Sequence, residues 1–269
     1  MGIAMREAAN GLCVFSASSQ KMRKTMGETM NIAVIFAGGV GSRMHSKDLP
    51  KQFLCIHGVP IIVRTVQHFQ EHSMIDAIVV VSGAEWLNYC RGLLDASHMT
   101  KVAAVVPGGS TGQESIFQGL LAAEKIADGK RSVVLIHDGV RPLINAQLIT
   151  DNIKSVEATG SAVTCVRAKE TVLVEGAGGA VDSIPDRSNL RLARAPQSFW
   201  LDQILAAHRD ADAAGKHDYI DSASMMFERG CSLTSIEGPD ENIKVTTPGD
   251  FFSLQAILNA RENEQIYGI

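Results

Sequence analysis

Residues 31–53 read NIAVIFAGGVGSRMHSKDLPKQF, and the fold turns on how this stretch is read. Asn31–Phe36 is apolar and rich in β-branched side chains, with no helix-period polarity, so a buried strand is predicted. Gly38, Gly39 and Gly41 follow at once. Glycine lets the chain turn sharply there, and without a Cβ the backbone N–H groups can approach an anion. Arg43 would offer phosphate oxygens a planar, bidentate donor, and Lys51, eight residues on, a point charge. These features predict a phosphate cradle; the plainer reading is a glycine-rich turn with two solvated basic residues. With no GKS or GKT in the run, a Walker loop is excluded.

Outward from the cradle, strand and helix alternate. PIIVRTVQHFQ has helical spacing, Ala77–Val81 reads as a strand, Glu85–Leu94 as a helix, KVAAVV as a strand and ESIFQGLLAAEK as a helix. SVVLIH is then a strand and Ala146–Ala158 a helix. Strands that are apolar throughout indicate an α/β fold, a Rossmann-like and mostly parallel sheet covered by helices on both faces. Ligands of such sheets sit beyond the carboxyl ends of the strands. That rule selects the turns FAGGVGSRM, SGAEW, PGGSTGQES and HDGVRP. The alternation breaks between Lys169 and Phe199, where two extended stretches flank GAGG, so a β-arm is predicted at about residues 168–199. Helical sequence resumes near Leu201. The expected organisation is one domain over residues 31–269, with residues 1–30 a leader that the fold does not need.

With 45% hydrophobic and 20% charged residues, the chain has the composition of a soluble globular protein. A net charge of −4 gives no general footprint for nucleic acid. No apolar run approaches the ~20 residues that span a bilayer. The five cysteines, Cys13, Cys55, Cys90, Cys165 and Cys231, form no CxxC, which suits reduced thiols in the cytoplasm.

Taken in order, AGGVGSRM with PKQF, GGSTGQES, HDGVRP, PQSF and NIKVTTP resemble the cytidylyltransferases of polyol phosphates, from Asn31 to the C-terminus. The resemblance implies a homodimer joined through the β-arm, which uses CTP and Mg²⁺ to make a CDP-polyol and pyrophosphate. It implies that Arg43, Lys51 and Lys244 are catalytic, the first two stabilising the transition state and Lys244 orienting the incoming phosphate. Such chemistry needs cations around a phosphorus whose oxygens gain charge. The backbone of Phe36, Ala37, Gly38, Gly39 and Gly41, with Gly109, Ser110 and the Ser115 hydroxyl, would bind the nucleotide; a turn and a helix N-cap at Ser115 is the plainer alternative. Asp138 would hold Mg²⁺, or else cap a helix.

His137 is read as structural. Arg141 would pair with Asp138 or touch the acceptor phosphate, and Thr171 and Arg187 would bind the acceptor across the dimer. Gly112, the long Arg43-to-Lys51 loop, PQSF and NIKVTTP favour ribitol 5-phosphate as acceptor over 2-C-methyl-D-erythritol 4-phosphate. A sugar-1-phosphate nucleotidyltransferase and a non-catalytic nucleotide-binding protein are the competing readings.

Overall fold

The computed structural model describes residues 29–38 and 49–268. The leader to residue 28 and the cradle residues Gly39, Gly41 and Arg43 lie outside these described residues. Strand β1 is Met30–Ala37, followed by the short pair β2 (Cys55–Ile56) and β3 (Val59–Pro60) and helix α1 (Ile61–Glu71). Then come β4 (Ala77–Ser82), α2 (Leu87–Ala96), β5 (Val102–Pro107), α3 (Gly112–Ala127), β6 (Ser132–Asp138), α4 (Ala146–Thr159) and β7 (Ser161–Arg167). The arm carries β8 (Val174–Glu175) and β9 (Val181–Ser183), an antiparallel pair. The chain closes with β10 (Arg191–Trp200), α5 (Leu201–Ala213), α6 (Ser222–Glu228), β11 (Ser235–Glu237) and α7 (Pro248–Tyr267).

Among the described residues the main sheet has seven strands in the order β11-β7-β10-β6-β1-β4-β5. β1 pairs in parallel with β4 and β6, as do β4 with β5 and β7 with β11; β10 runs antiparallel between β6 and β7. The strand run of residues 31–36 shows why both faces are covered. Ala33 and Ile35 face a core with Val66 and Phe69 of α1, Leu94 of α2 and Ile153 of α4. Ile32 and Val34 face the opposite core, with Leu120 of α3, Ile204 of α5 and Met225 of α6. Alternate side chains of one strand thus enter two cores, which is why the run is apolar at every position. Gly119 lets α3 lie directly on the sheet, because a Cβ there would overlap Val34 and Val81. A third, smaller core joins Leu254 of α7 to Ile61, Leu143 and Val245, and so pins the chain segment that precedes α7.

The predicted α/β sheet is present, with two differences at the helix starts. α3 begins at Gly112 and its N-cap is Thr111, in a capping box with Glu114. Ser115 therefore sits inside the helix. The helix after β6 is capped by Asn145, so Asp138 is no helix cap.

Candidate active site

The carboxyl ends of β1, β4, β5 and β6 lie side by side, and Phe36 is in register with Asp138. Above them opens a cleft with two lobes. The larger lobe, about 530 Å³, is walled by Ala37, Gly38, Lys51, Gly83 and the turn Gly108–Gly112, with Ser115 beneath. The smaller, about 290 Å³, is walled by Gln113, Arg141, Arg194, Gln197, His208, Tyr219 and Ser222. Phe36, Gly112, Asp138 and Lys244 line both lobes and form the partition between them.

Lys51 reaches the larger lobe because its neighbours are anchored. Gln52 is buried and donates through Nε2 to the carbonyl of Ala37 at 2.7 Å, while Phe53 is buried against Trp86 and Tyr89. The PKQF segment is thereby held at the end of β1. The facing turn is held by α3. Ser110 donates both its N–H and its hydroxyl to the Glu114 carboxylate, each at 2.6 Å. Those bonds keep that carboxyl below its ordinary range. The Ser115 hydroxyl donates to the carbonyl of Thr111 at 2.9 Å and accepts from Gly109 N–H at 3.2 Å. Gly109 must be glycine, since a Cβ there would collide with Glu114. In this geometry the hydroxyls of Ser110 and Ser115 shape the turn.

At the partition, Lys244 Nζ lies 2.6 Å from Asp138 Oδ1, and Arg141 Nε donates to Asp138 Oδ2 at 2.7 Å. Burial raises the Asp138 carboxyl, but the charges of Lys244 and Arg141 more than reverse this, leaving it below the usual carboxylate range. Lys244 is placed from outside the sheet: Val245 N–H donates to the carbonyl of Val140 at 3.0 Å. Arg141 also donates through Nη1 to the carbonyl of Asn242 at 2.8 Å, and Asn242 Nδ2 donates to the carbonyl of Ala195 at 2.7 Å. Of the two roles open to Arg141, the structure shows the pair with Asp138. His137 is fully buried, with Nε2 3.0 Å from the carbonyl of Arg141 and its pKa pushed down to about 4 by burial. It is structural, as expected.

The smaller lobe also contains residues to which the sequence reading gave no chemical role. Gln197 of β10 donates to Asp221 Oδ2 at 2.9 Å and accepts from Ala223 N–H at 2.8 Å, tying the start of α6 to the sheet. His208 is buried and stacked on Phe117, and burial pushes its pKa down to about 4. Buried polar atoms of His208, Ser222 and Arg194 in this lobe have no hydrogen-bond partner. The signal for them was spacing: PQ, an isolated helix His and DS are far apart in sequence and gather only through β10. Thr171 and Arg187 line neither lobe; Arg187 donates to the carbonyl of Lys169 at 2.7 Å on the arm.

For a divalent cation, the donor set is sparse. No group of three or more His, Cys, Asp or Glu that could hold a metal ion occurs among the described residues. Both Asp138 oxygens are ion-paired, Oδ1 with Lys244 and Oδ2 with Arg141, so the carboxylate has only a remaining lone pair to offer Mg²⁺, which would be held largely by substrate phosphates. No helix among the described residues is long and apolar enough to cross a membrane.

Comparison with known proteins agrees with this geometry. The family model for 2-C-methyl-D-erythritol 4-phosphate cytidylyltransferase (IspD) matches residues 31–260. The chain is 56% identical over 240 residues, 89% of its length and 100% of the relative's, to the ribitol-5-phosphate cytidylyltransferase of Streptococcus agalactiae serotype III (strain NEM316). It is 36% identical over 231 residues, 85% of its length and 97% of the relative's, to the 2-C-methyl-D-erythritol 4-phosphate cytidylyltransferase of Clostridium acetobutylicum. The crystal structure of 4-diphosphocytidyl-2C-methyl-D-erythritol synthase from Anaerococcus prevotii DSM 20548 superposes with a TM-score of 0.74 at 25% identity, covering 86% of this chain and 96% of that one. A cleft at the strand ends, a cationic partition and a match over nearly the whole described chain lead to one assignment: the chain belongs to the IspD family of cytidylyltransferases.

Proposed function

We propose that the chain is a ribitol-5-phosphate cytidylyltransferase that takes CTP in the larger lobe and the polyol phosphate in the smaller. The observation that carries this reading is the shared partition: the Lys244–Asp138 pair belongs to both lobes, so two anionic substrates would meet there. A phosphate oxygen of the acceptor attacks the α-phosphorus of CTP, the bond to the β-phosphate breaks, and pyrophosphate leaves with the electron pair. Lys51 from the larger lobe, with Arg43, offsets the charge gained by the α-phosphoryl oxygens, and Lys244 holds the incoming phosphate beside them. Phe36, Ala37, Gly38 and Gly109 line the larger lobe, and their backbone, with that of Gly39 and Gly41, would bind the nucleotide. Asp138 would hold Mg²⁺, which neutralises phosphate charge when bound. Ribitol 5-phosphate is favoured as acceptor because the relative named for it is 56% identical and the one named for the erythritol compound 36%.

The arm supports a homodimer. Among the described residues, five of the nine exposed large apolar side chains, Leu173, Val174, Val181, Ile184 and Leu192, lie on it. Apolar surface of this kind is covered in a stable assembly. Thr171 and Arg187 of the arm would then serve the acceptor in the neighbouring subunit. Free thiols at Cys55, Cys90, Cys165 and Cys231, and a soluble nucleotide substrate, suit the cytoplasm.

The test is pyrophosphate release with each of the four NTPs against ribitol 5-phosphate and 2-C-methyl-D-erythritol 4-phosphate. CTP with ribitol 5-phosphate should give the highest kcat/KM, and a preference for the erythritol compound would move the chain to the other branch. Exchange between Lys51→Ala and Arg187→Ala dimers in equal amounts should restore about a quarter of wild-type activity, since half the dimers are hybrids with one intact site. No restoration after verified exchange would place Arg187 within its own chain's chemistry.

A further inference from the structure

Arg194 carries a guanidinium that the fold leaves unpaired. It stands on β10, half-buried in the wall of the smaller lobe, and it also lines a neighbouring cavity of about 220 Å³ at the base of the arm. Its Nε is buried without a hydrogen-bond partner. Every other arginine that lines the partitioned cleft among the described residues is engaged: Arg141 has Nε on Asp138 and Nη1 on the carbonyl of Asn242. Burial lowers the basicity of Arg194, the charge of Arg141 lowers it further, and Asp240 opposes them. A desolvated guanidinium beside a second one is unfavourable until an anion comes between them. The lobe that holds it ends at Lys244, so such an anion would lie within a wall of three cationic side chains.

We propose that Arg194 grips the phosphate of the acceptor in the smaller lobe and presents it to Lys244 at the partition. This rests on reading the chain as a polyol-phosphate cytidylyltransferase. The assignment divides the labour between two arginines: Arg141 fixes Asp138, and Arg194 meets substrate. A guanidinium forks two phosphate oxygens with parallel N–H donors and leaves the third free to attack the α-phosphorus. Reaction balance is unchanged, since Arg194 binds and transfers nothing.

Arg194→Gln and Arg194→Lys in the full chain test this, with CTP saturating, ribitol 5-phosphate varied and inorganic phosphate as competitor. In Arg194→Gln the KM for ribitol 5-phosphate should rise about 10- to 100-fold, the range for loss of a charge-assisted bond, and the inhibition constant of inorganic phosphate should rise with it. The KM for CTP and the thermal midpoint should hold, and Arg194→Lys should recover part of the loss. An acceptor KM within about threefold of wild type, or a CTP KM rising in parallel, overturns the proposal. So does loss of the folding transition in both variants, which would assign Arg194 to the fold. A wild-type enzyme that turns over no polyol phosphate overturns the functional reading itself, and the control shows this separately.

Discussion

Apart from Lys51 and the shared partition, the larger lobe of the cleft is walled mainly by turns that follow β1, β4 and β5, each a few residues from the strand that positions it. The smaller lobe is walled by residues of α3, β6, β10, α5, α6 and the segment before α7, which are brought together across more than a hundred residues of chain. The difference shows in the bonding. In the larger lobe Glu114, Ser110, Thr111 and Ser115 bond to one another within six residues, so the turn is a local structure. In the smaller lobe Asn242 reaches Ala195, Gln197 reaches Asp221, and Gln113 reaches Lys216. A site made of local turns depends on its own few residues, whereas a site made of long-range contacts depends on the packing of the whole domain.

The largest effect should come from Asp138→Ala, which removes the element both lobes share. Arg141 would be left buried without its carboxylate, at a cost on the order of 3–5 kcal/mol. Denaturant unfolding should show that loss, and the KM for both substrates should rise together. If only one rises, the partition does not join the lobes. Lys51→Ala should leave stability nearly unchanged and lower kcat by ~10² or more, the scale for losing one preorganised donor. A variant with normal turnover would remove the larger lobe from the chemistry.

Acidification sharpens the comparison by acting on buried histidines. His137 lies behind the partition and His208 in the smaller lobe, and each is pushed from 6.5 down to about 4. Between those values the unfolded chain binds more protons than the folded one, so stability is fully present above about pH 6.5 and falls as pH drops toward 4. From pH 7 to pH 5 each should cost about 2 kcal/mol. His208→Phe, which keeps the stack on Phe117, should flatten the pH dependence of the thermal midpoint by its own share; an unchanged slope would mean that His208 binds protons in the fold as readily as in the unfolded chain. The smallest effect is expected from Ser222→Ala. The Ser222 hydroxyl is buried without a partner, so its removal should leave the thermal midpoint unchanged or raise it slightly. A clear drop would show that this hydroxyl is bonded within the fold.

The cradle strand, the parallel alternation and the carboxyl-end turns were legible in the sequence, because strand burial and glycine turns are set by neighbouring residues. Lys51, Asp138 and Lys244 were found from short motifs, and the structure brings all three to one cleft. Their pairing was not legible: Arg141 was open between two roles until Asp138 and the carbonyl of Asn242 were seen to hold it. Nor did the sequence show that Thr111, not Ser115, caps α3, since both precede or enter the same apolar run. The clearest limit is β10. Arg191–Trp200 reads as the end of an arm, yet from Ala195 onward it is buried as an antiparallel strand between β6 and β7. Its insertion puts Arg194 and Gln197 in the wall of the smaller lobe, ties Gln197 to Asp221 and gives Asn242 the carbonyl of Ala195 to bond. Local sequence determined which segments are strands, helices and turns, because those choices rest on residues within one or two turns of chain. Strand order, and with it the second lobe, was decided only in the tertiary structure, because it depends on which distant apolar faces bury one another.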